Sequence, residues 1–250
     1  MKLVRFLFHD KKYSGILRDG VISVDDPCGG PRTLASGEVS LLAPVEPSKV
    51  VLVGLNYRDH ALELGMAVPA EPVIFIKPST AVIGPDAVIV YPEQSARVDY
   101  EAELGVVIKD RIRGVTAKEA LEHVKGYVCV NDVTARDLQK KDIQWTRAKS
   151  FDTFAPIGPW VETDLDPADI RIRSYLNGKL KQDSRTSEFI FSVPELIEFI
   201  SGIMTLYPDD VIATGTPPNV GAMEPGDEIV IEVEGIGRLR NYVEKGEQVC

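Results

Sequence analysis

Three carboxylates occupy positions from which they could bind one metal ion together. Glu101 and Glu103 stand two apart in the segment DYEAELG, and Asp132 lies at the end of the apolar run YVCVNDV. Side chains two apart on a β-strand point to the same side, where like charges repel unless water or a cation lies between them. A solvated strand face is one interpretation of such a pair. The apolar LGVVI that follows, and a third carboxylate at a second strand end, favour a site for Mg²⁺, Mn²⁺ or Ca²⁺.

One histidine stands beside a carboxylate at helical spacing. His60 precedes Glu63 by three residues in GLNYRDHALELG, which places both side chains on one helical face. A histidine oriented by a carboxylate is typical of a general base. A surface helix with an ordinary His–Glu pair has the same spacing, so the spacing by itself leaves both interpretations open.

Basic and polar residues accompany these groups. Lys77 ends the apolar strand of IFIKPST, Lys149 lies in RAKSFDTF, and Arg136 and Gln139 lie in TARDLQ. Three carboxylates around one divalent ion keep excess negative charge, so an anionic substrate would need such cations nearby. Each cation taken singly is also consistent with a solvated surface residue. Thr216 follows a strand in ATGTPPNVG, a loop that could hold a carboxylate or be only a turn rich in Gly and Pro.

The elements that must position these residues are mostly β-strands. Runs of β-branched and apolar residues recur along the chain, and Asn177-Gly178 predicts a hairpin turn. Helix-like stretches are few and scattered, which disfavours a doubly wound fold. They cover residues 57–65, 116–124, 134–142 and 193–203. We therefore predict a β-rich α+β fold, with a small N-terminal β-subdomain over residues 1–46 and a catalytic domain over residues 47–250.

Composition limits the classes of partner. The 250 residues are 44% hydrophobic and 26% charged, with a formal net charge of −10. This charge argues against nucleic acid or an anionic membrane as a partner. No apolar stretch is long enough for a transmembrane helix, and the N-terminus does not have the pattern of a signal peptide. The three cysteines are widely spaced, with Cys129 in an apolar run, so we expect a reducing, cytoplasmic location.

Seven motifs in order resemble the fumarylacetoacetate hydrolase family, from about residue 50 to the C-terminus. They are GLNYRDHALELG, IFIKPST, DYEAELGVVI, GYVCVNDVTARDLQ, WTRAKSFDTFAPIGPW, LNGKLKQDSRTSEFIFSVPELI and DVIATGTPPNVG. Each motif alone is weakly specific, whereas all seven in this order identify the family. The resemblance implies a rolled mixed β-sheet of the family's own type, a divalent metal held by carboxylates, and a homodimer.

The resemblance also assigns roles to residues of this sequence. It implies that the metal ligands are Glu101, Glu103 and Asp132. It implies that the catalytic residues are His60, Glu63 and Lys149, the first two on a mobile helix that orders when substrate binds. It implies that the residues lining the substrate pocket are Lys77, Arg136, Gln139 and Thr216. Mg²⁺ or Mn²⁺ is the expected cofactor, with Ca²⁺ as a further candidate.

The chemistry implied by the family is enolate formation from a small anionic 2-oxo acid. A cation chelated by the substrate's carboxylate and 2-oxo oxygen acts as a Lewis acid for the enolate. The first expectation is hydrolysis of a C–C bond in an acylpyruvate-type substrate. The alternatives are isomerisation or decarboxylation of 2-hydroxy-dienedioates or oxaloacetate, dehydration of a 2-oxo-3-deoxy sugar acid, and a non-catalytic metal-binding relative.

Overall fold

The computed structural model describes residues 1–24 and 33–246, and β-strands dominate it. The first strands are β1 (Lys2–Phe8), β2 (Lys11–Arg18), β3 (Val21–Val24), β4 (Thr33–Ala35), β5 (Ser40–Leu41), β6 (Lys49–Gly54), β7 (Val73–Pro78), β8 (Val82–Ile83), β9 (Val88–Tyr91) and β10 (Val98–Tyr100). The later ones are β11 (Ala102–Ile108), β12 (Val124–Asn131), β13 (Thr134–Ala135), β14 (Ala155–Glu162), β15 (Arg171–Leu176), β16 (Lys179–Arg185), β17 (Val211–Ala213), β18 (Gly221–Met223), β19 (Glu228–Val233) and β20 (Gly237–Lys245). The helices are α1 (Arg58–Leu64), α2 (Arg136–Lys141), α3 (Thr146–Lys149) and α4 (Val193–Ile203). The predicted β-rich α+β fold is confirmed.

The strands form three sheets. The largest has twelve strands, with the order β4-β3-β2-β1-β14-β12-β11-β17-β6-β7, β5 beside β1 and β8 beside β14. A five-stranded sheet has the order β16-β15-β19-β20-β9, and a three-stranded sheet has the order β13-β10-β18. Most neighbours are antiparallel, whereas β17 with β6, β14 with β8 and β20 with β9 are parallel. The sheets are therefore mixed.

The core lies on both faces of the central strands. Every residue of β11 is buried, because one of its faces packs toward the five-stranded sheet and the other toward a second apolar layer. Cys129 in neighbouring β12 is fully buried, as its apolar run predicts. A strand covered on both faces has no solvent-exposed face. Any charged side chain at its end therefore needs an internal partner.

The N-terminal strands have an apolar cluster of their own. Val4, Phe6 and Ile22 are buried in it, and Trp160 packs against it. The same strands join the large sheet where β1 pairs with the end of β14, Lys2 opposite Glu162. The predicted domain boundary between residues 46 and 47 stays a prediction, and residues 25–32 and 247–250 of the two predicted domains lie outside the described part of the chain.

Three of the four predicted helices form. Residues 57–65, 134–142 and 193–203 contain α1, α2 and α4, and α4 begins with a capping box between Ser192 and Glu195. The fourth prediction is wrong, since residues 116–124 form only a 3₁₀ turn at Ala120–His123 before β12 begins. Within the described residues, no helix has the length and apolar character that crossing a membrane requires.

Candidate metal centre and active-site cavity

The three predicted carboxylates meet where strands β11 and β12 end together. The two strands are antiparallel, with Ala102 opposite Asn131, so the residues next to this pair lie side by side. Asp132 N donates to Glu101 O at 2.9 Å and closes the end of the ladder. One carboxylate oxygen from each of Glu101, Glu103 and Asp132 lies within 4.8 Å of the other two, and all three residues are buried. The pattern read from the sequence thus corresponds to one cluster in space.

The donor set of this cluster suits a hard divalent cation. All of its ligand atoms are carboxylate oxygens, the ligands that Mg²⁺, Mn²⁺ and Ca²⁺ prefer. Glu103 accepts only one hydrogen bond among the described residues, from Gly215 N at 2.9 Å. Buried carboxylate oxygens are normally saturated with donors. The unused bonding capacity of Glu103 fits a metal ion.

Two basic side chains neutralise part of the cluster. Lys149 Nζ donates to Glu101 Oε2 at 2.9 Å and also to Asp132 Oδ2. Arg136 donates through Nη2 to Glu101 Oε1 and through Nε to Asp99 Oδ2, the latter at 2.8 Å. Burial alone would raise the pKa of Glu101, but these ion pairs outweigh it and hold that pKa well below its usual range. Glu101 is therefore ionised.

Glu103 has no such partner. Burial and the neighbouring charges of Asp132 and Glu101 raise the pKa of Glu103 well above its usual range. Desolvation alone would lower the pKa of the Lys149 ammonium, but Asp132 and Glu101 outweigh it and raise that pKa. The charge of the cluster is thus uneven, because Glu101 and Asp132 have cationic partners and Glu103 has none among the described residues.

Lys77 lies behind the cluster rather than in the cavity wall. It is fully buried, and its Nζ donates to the backbone oxygens of Val133, at 2.8 Å, and Phe154. Nζ also lies 2.6 Å from Asp132 Oδ1, an ion-pair contact outside hydrogen-bond geometry. Burial lowers the pKa of Lys77 to about 8. Lys77 therefore pairs with Asp132 from outside the cavity and does not line the space that a substrate would occupy.

The His60–Glu63 pair forms at the predicted spacing. His60 Nδ1 lies 2.8 Å from Glu63 Oε2, and Glu63 Oε1 accepts from Asn219 N at 3.0 Å. A carboxylate on Nδ1 assigns the imidazole proton to that nitrogen and leaves Nε2 as an acceptor. Helix α1 ends at Gly65, which has φ 62° and donates to Leu62 O. The pair is held at both ends, by its own helix and by the loop after β17.

A cavity of about 350 Å³ joins the histidine to the carboxylates. Eight of the ten predicted site residues line it: His60, Glu101, Glu103, Asp132, Arg136, Gln139, Lys149 and Thr216. Glu63 and Lys77 do not line it; they lie behind His60 and Asp132. The apolar part of the wall is Val53, Leu55, Leu64, Met66, Phe75 and Trp145. The arrangement places a candidate base, a candidate metal site and cationic groups around one small space.

The sequence analysis did not identify the aromatic wall of this cavity. Phe75 and Trp145 pack edge to face with ring centroids 5.4 Å apart. They also line a larger groove of about 760 Å³ along β7, which has no acidic or basic side chain. Neither residue stands in a pattern that separates it from ordinary core aromatics. Because the larger groove lacks ionisable groups, the smaller cavity is the candidate active site.

Comparison with known proteins gives one consistent result. The family model described as "Fumarylacetoacetate (FAA) hydrolase C-terminal" matches residues 49–244. Oxaloacetate tautomerase FAHD2B, mitochondrial, of Bos taurus is 44% identical over 223 residues, 84% of this chain and 71% of that protein.

Two solved structures extend the likeness. The 5-carboxymethyl-2-hydroxymuconate delta-isomerase of Mycobacterium smegmatis superposes with a TM-score of 0.92 at 45% identity, covering 99% of this chain and 100% of that one. Maleylpyruvate hydrolase of Sphingobium sp. SYK-6, solved with manganese(II) and pyruvate, has a TM-score of 0.84 at 28% identity, with 99% and 100% coverage. The named relatives are enzymes: a tautomerase, an isomerase and a hydrolase.

Proposed function

The chain belongs to the fumarylacetoacetate hydrolase family, and on that premise we propose that it is a divalent-metal-dependent enzyme that interconverts enol and keto forms of a small 2-oxo acid. The observation that carries this proposal is that His60, with Glu63 bonded behind it, lies in the wall of the cavity that also contains the carboxylate cluster. Tautomerisation needs one base that takes a proton at one atom and returns it at another. This pair is the base that the cavity offers.

The cation would be held by Glu101, Glu103 and Asp132. Mg²⁺ or Mn²⁺ bound there would supply Lewis-acid polarisation of the 2-oxo oxygen, which lowers the cost of removing a proton from C3. The manganese(II) and pyruvate in the Sphingobium sp. SYK-6 enzyme support both the kind of metal and the kind of ligand.

The charge of the cavity supports an anionic substrate. Arg136 donates one N–H from each of its three nitrogens, to Asp99, Glu101 and Gln139. A guanidinium has five N–H groups, so two remain without an acceptor among the described residues. A divalent cation with Lys77, Lys149 and Arg136 would carry five positive charges, against four on the three clustered carboxylates and Asp99. A substrate carboxylate would balance the difference.

The proton transfer follows from the tautomer of His60. Nε2 takes the proton from C3 of the keto form, the C3–H electron pair becomes the C2=C3 double bond, and the carbonyl π pair moves to the 2-oxygen. Glu63 stabilises the imidazolium through Nδ1–H while the proton resides on Nε2. Return of the proton to oxygen gives the enol, and return to carbon restores the ketone.

A spectrophotometric panel tests the proposal. Loss of the enol absorbance of oxaloacetate is followed with Mn²⁺ and again with EDTA, for the wild type and for His60→Ala, Glu101→Ala and His123→Ala variants. The matched control is His123, whose Nδ1 lies 2.8 Å from Asp110 Oδ1, remote from the cavity lining. We expect EDTA and the first two substitutions to abolish acceleration, and His123→Ala to leave it unchanged. Wild-type rates in His60→Ala would overturn the assignment of the base.

A second candidate is hydrolysis of an acylpyruvate, the reaction that the sequence analysis places first. The cavity volume of about 350 Å³ favours it, since that space exceeds the needs of a small 2-oxo acid and leaves room for an attacking water. His60 would then deprotonate the water. Release of pyruvate from acetylpyruvate, abolished by EDTA and by His60→Ala, would move the proposal to this reaction. CO₂ release from oxaloacetate that survives His60→Ala would move it to decarboxylation.

The predicted homodimer and cytoplasmic location stay predictions. Edge strand β7, which exposes Val73 on one face and Ile76 on the other, is where we expect a second copy to pack. Sedimentation velocity of the wild type and of Ile76→Glu tests this, because a charge in a buried interface separates the copies. A monomeric wild type would refute the dimer.

A further inference from the structure

Strand β16 sends one fully buried side chain into the protein, and it is polar. Gln182 has no exposed surface, whereas its neighbours Lys181 and Asp183 are exposed. The strand lies at the edge of the five-stranded sheet, so Gln182 reaches from that sheet toward the strands of the active site. A buried carboxamide has to make its hydrogen bonds internally. Its partners therefore show what it does.

The carboxamide of Gln182 links the backbone of β11 to the loop after β17. Its Oε1 accepts from Ala102 N at 3.0 Å, and its Nε2 donates to Thr216 Oγ1 at 2.9 Å and to Pro217 O at 2.8 Å. Ala102 N can only donate and Pro217 O can only accept, so these two partners fix which end of the amide is nitrogen. The bond to Ala102 spans 80 residues, and the bonds to Thr216 and Pro217 span 34 and 35.

Each of these partners bears on the candidate site. Ala102 is the residue between Glu101 and Glu103, so its amide fixes the backbone from which both carboxylates project. Thr216 lines the cavity and donates its hydroxyl proton to Ala102 O at 3.0 Å. With that proton committed and one lone pair occupied by Gln182, the Thr216 hydroxyl keeps one lone pair free and a single orientation.

We propose that Gln182 is a positioning residue of the active site, which acts through the Thr216 hydroxyl without touching the substrate. The inference rests on the proposed function, since it assigns the cavity to a 2-oxo acid. It predicts that Gln182 sets substrate affinity more than the rate of proton transfer, because His60 and Glu63 lie on a different element and share no hydrogen bond with it.

The test compares two buried carboxamides of the same sheet. Gln182→Met keeps the side-chain length and removes all three hydrogen bonds without adding charge. The matched control is Asn241→Leu on β20, where the buried amide donates to Gly84 O and Ala87 O, each at 2.9 Å, away from the cavity. Binding of oxalate, a planar anion shaped like the enolate of pyruvate, is measured by calorimetry with Mn²⁺, beside KM and kcat for oxaloacetate and the melting temperature.

We expect both substitutions to lower the melting temperature, but only Gln182→Met to weaken oxalate and raise KM, by about tenfold, the effect of one lost hydrogen bond. We expect kcat to change less than KM. In the double variant Gln182→Met/Thr216→Val, oxalate should bind no more weakly than in Thr216→Val alone, because the first residue acts through the second.

Three results would overturn the assignment, and each differs from the others. Gln182→Met with wild-type oxalate affinity and KM, but a lower melting temperature, would make Gln182 a structural residue only. Effects of the two substitutions that multiply would show that Thr216 does not transmit the effect. A wild type that binds neither oxalate nor oxaloacetate in the presence of Mn²⁺ would refute the proposed function, and the role of Gln182 with it.

Discussion

Strand β17 has a buried carboxylate near each end, and the two ends are partnered in opposite ways. Asp210 precedes the strand, and Glu103 lies against Gly215 after it. Both carboxylates are almost completely buried. One is saturated by the protein, whereas the other has a single hydrogen bond among the described residues.

At the Asp210 end, the carboxylate has all its bonding partners within the protein. Its carboxylate accepts from Ser48 N at 2.9 Å, Ser48 Oγ at 2.7 Å, Lys49 N at 3.2 Å and Tyr207 N at 2.9 Å, and it forms an ion pair with Lys49 Nζ. Burial alone would raise the pKa of Asp210, but the bonds from Lys49 and Ser48 outweigh it and lower the pKa. The charge is stabilised within the chain.

At the Glu103 end, the carboxylate has few bonding partners among the described residues. Glu103 has Gly215 N as its one donor, and burial with the nearby Asp132 and Glu101 raises its pKa. A buried charge without partners lowers stability unless a ligand supplies them. The comparison teaches that burial alone does not identify a functional carboxylate. A carboxylate with unused bonding capacity is the better candidate, and three substitutions and one labelling experiment test that distinction.

The largest effect is expected from Glu103→Gln. Loss of a metal ligand should lower kcat by about a thousandfold and weaken Mn²⁺ binding, since a bound metal contributes several kcal/mol to such reactions. The apoprotein should be no less stable than the wild type, because a neutral amide replaces a buried carboxyl that has no cationic partner. Calorimetric Mn²⁺ titration and thermal unfolding without metal measure both. A strongly destabilised apoprotein would erase the contrast with Asp210.

Glu63→Gln should lower kcat by about a hundredfold, a factor within the range that a positioned general base contributes to a reaction rate. The amide would donate to His60 Nδ1 and move the imidazole proton to Nε2, where it blocks proton abstraction. Steady-state kinetics beside Asp110→Asn, the same change in the remote His123 pair, measures it. Equal effects of the two substitutions would remove the assigned role of the His60–Glu63 pair.

Asp210→Asn should cost about 2 kcal/mol of unfolding free energy, because an amide cannot accept all the donors that surround the carboxylate. Its kcat and KM should stay at wild-type values. Urea denaturation and steady-state kinetics on the same preparation give the two numbers. A loss of turnover without a loss of stability would place this end of β17 in the site after all.

The smallest effect concerns Cys129, an ionisable group that belongs to neither end. Burial raises the pKa of its thiol to about 12, so it stays protonated and inaccessible at neutral pH. In a background with Cys28→Ser and Cys250→Ser, we expect no reaction with a disulfide reagent at neutral pH until denaturant is added. Rapid labelling of the native protein would show that the sheet interior opens.

The sequence predicted the central strands because their side chains are covered on both faces. Continuous β-branched runs such as VVLVG mark β6, and the carboxylates stand out where the runs end. Strand β14 has no such run, because Pro156 and Pro159 interrupt its sequence, although all but one of its residues are buried. Strand β20 has none either, since charged residues break up its sequence. Pairing partners far along the chain determine both strands.

The candidate site was predictable wherever chemistry depends on residue type and close spacing. The Glu101–Glu103 pair and the His60–Glu63 pair are local patterns, and the structure brings both into one cavity wall or directly behind it. The position of Lys77 was not predictable, because the strand sequence does not say that its ammonium is taken up by backbone oxygens. Gln182, between charged residues in KLKQDS, carries no local signal of burial.

The pairing of β6 with β17 bears on the order in which the protein can fold. Its flanking contact between Lys49 and Asp210 closes a loop of 161 residues, and Glu103 meets Gly215 across 112. The antiparallel β11–β12 pair, by contrast, is close in sequence and can form early. During synthesis the two segments that carry the three carboxylates would therefore come together before the loop that completes the cavity exists. Synthesis of the last third of the chain, which contains Thr216, is then the step that completes the candidate binding site.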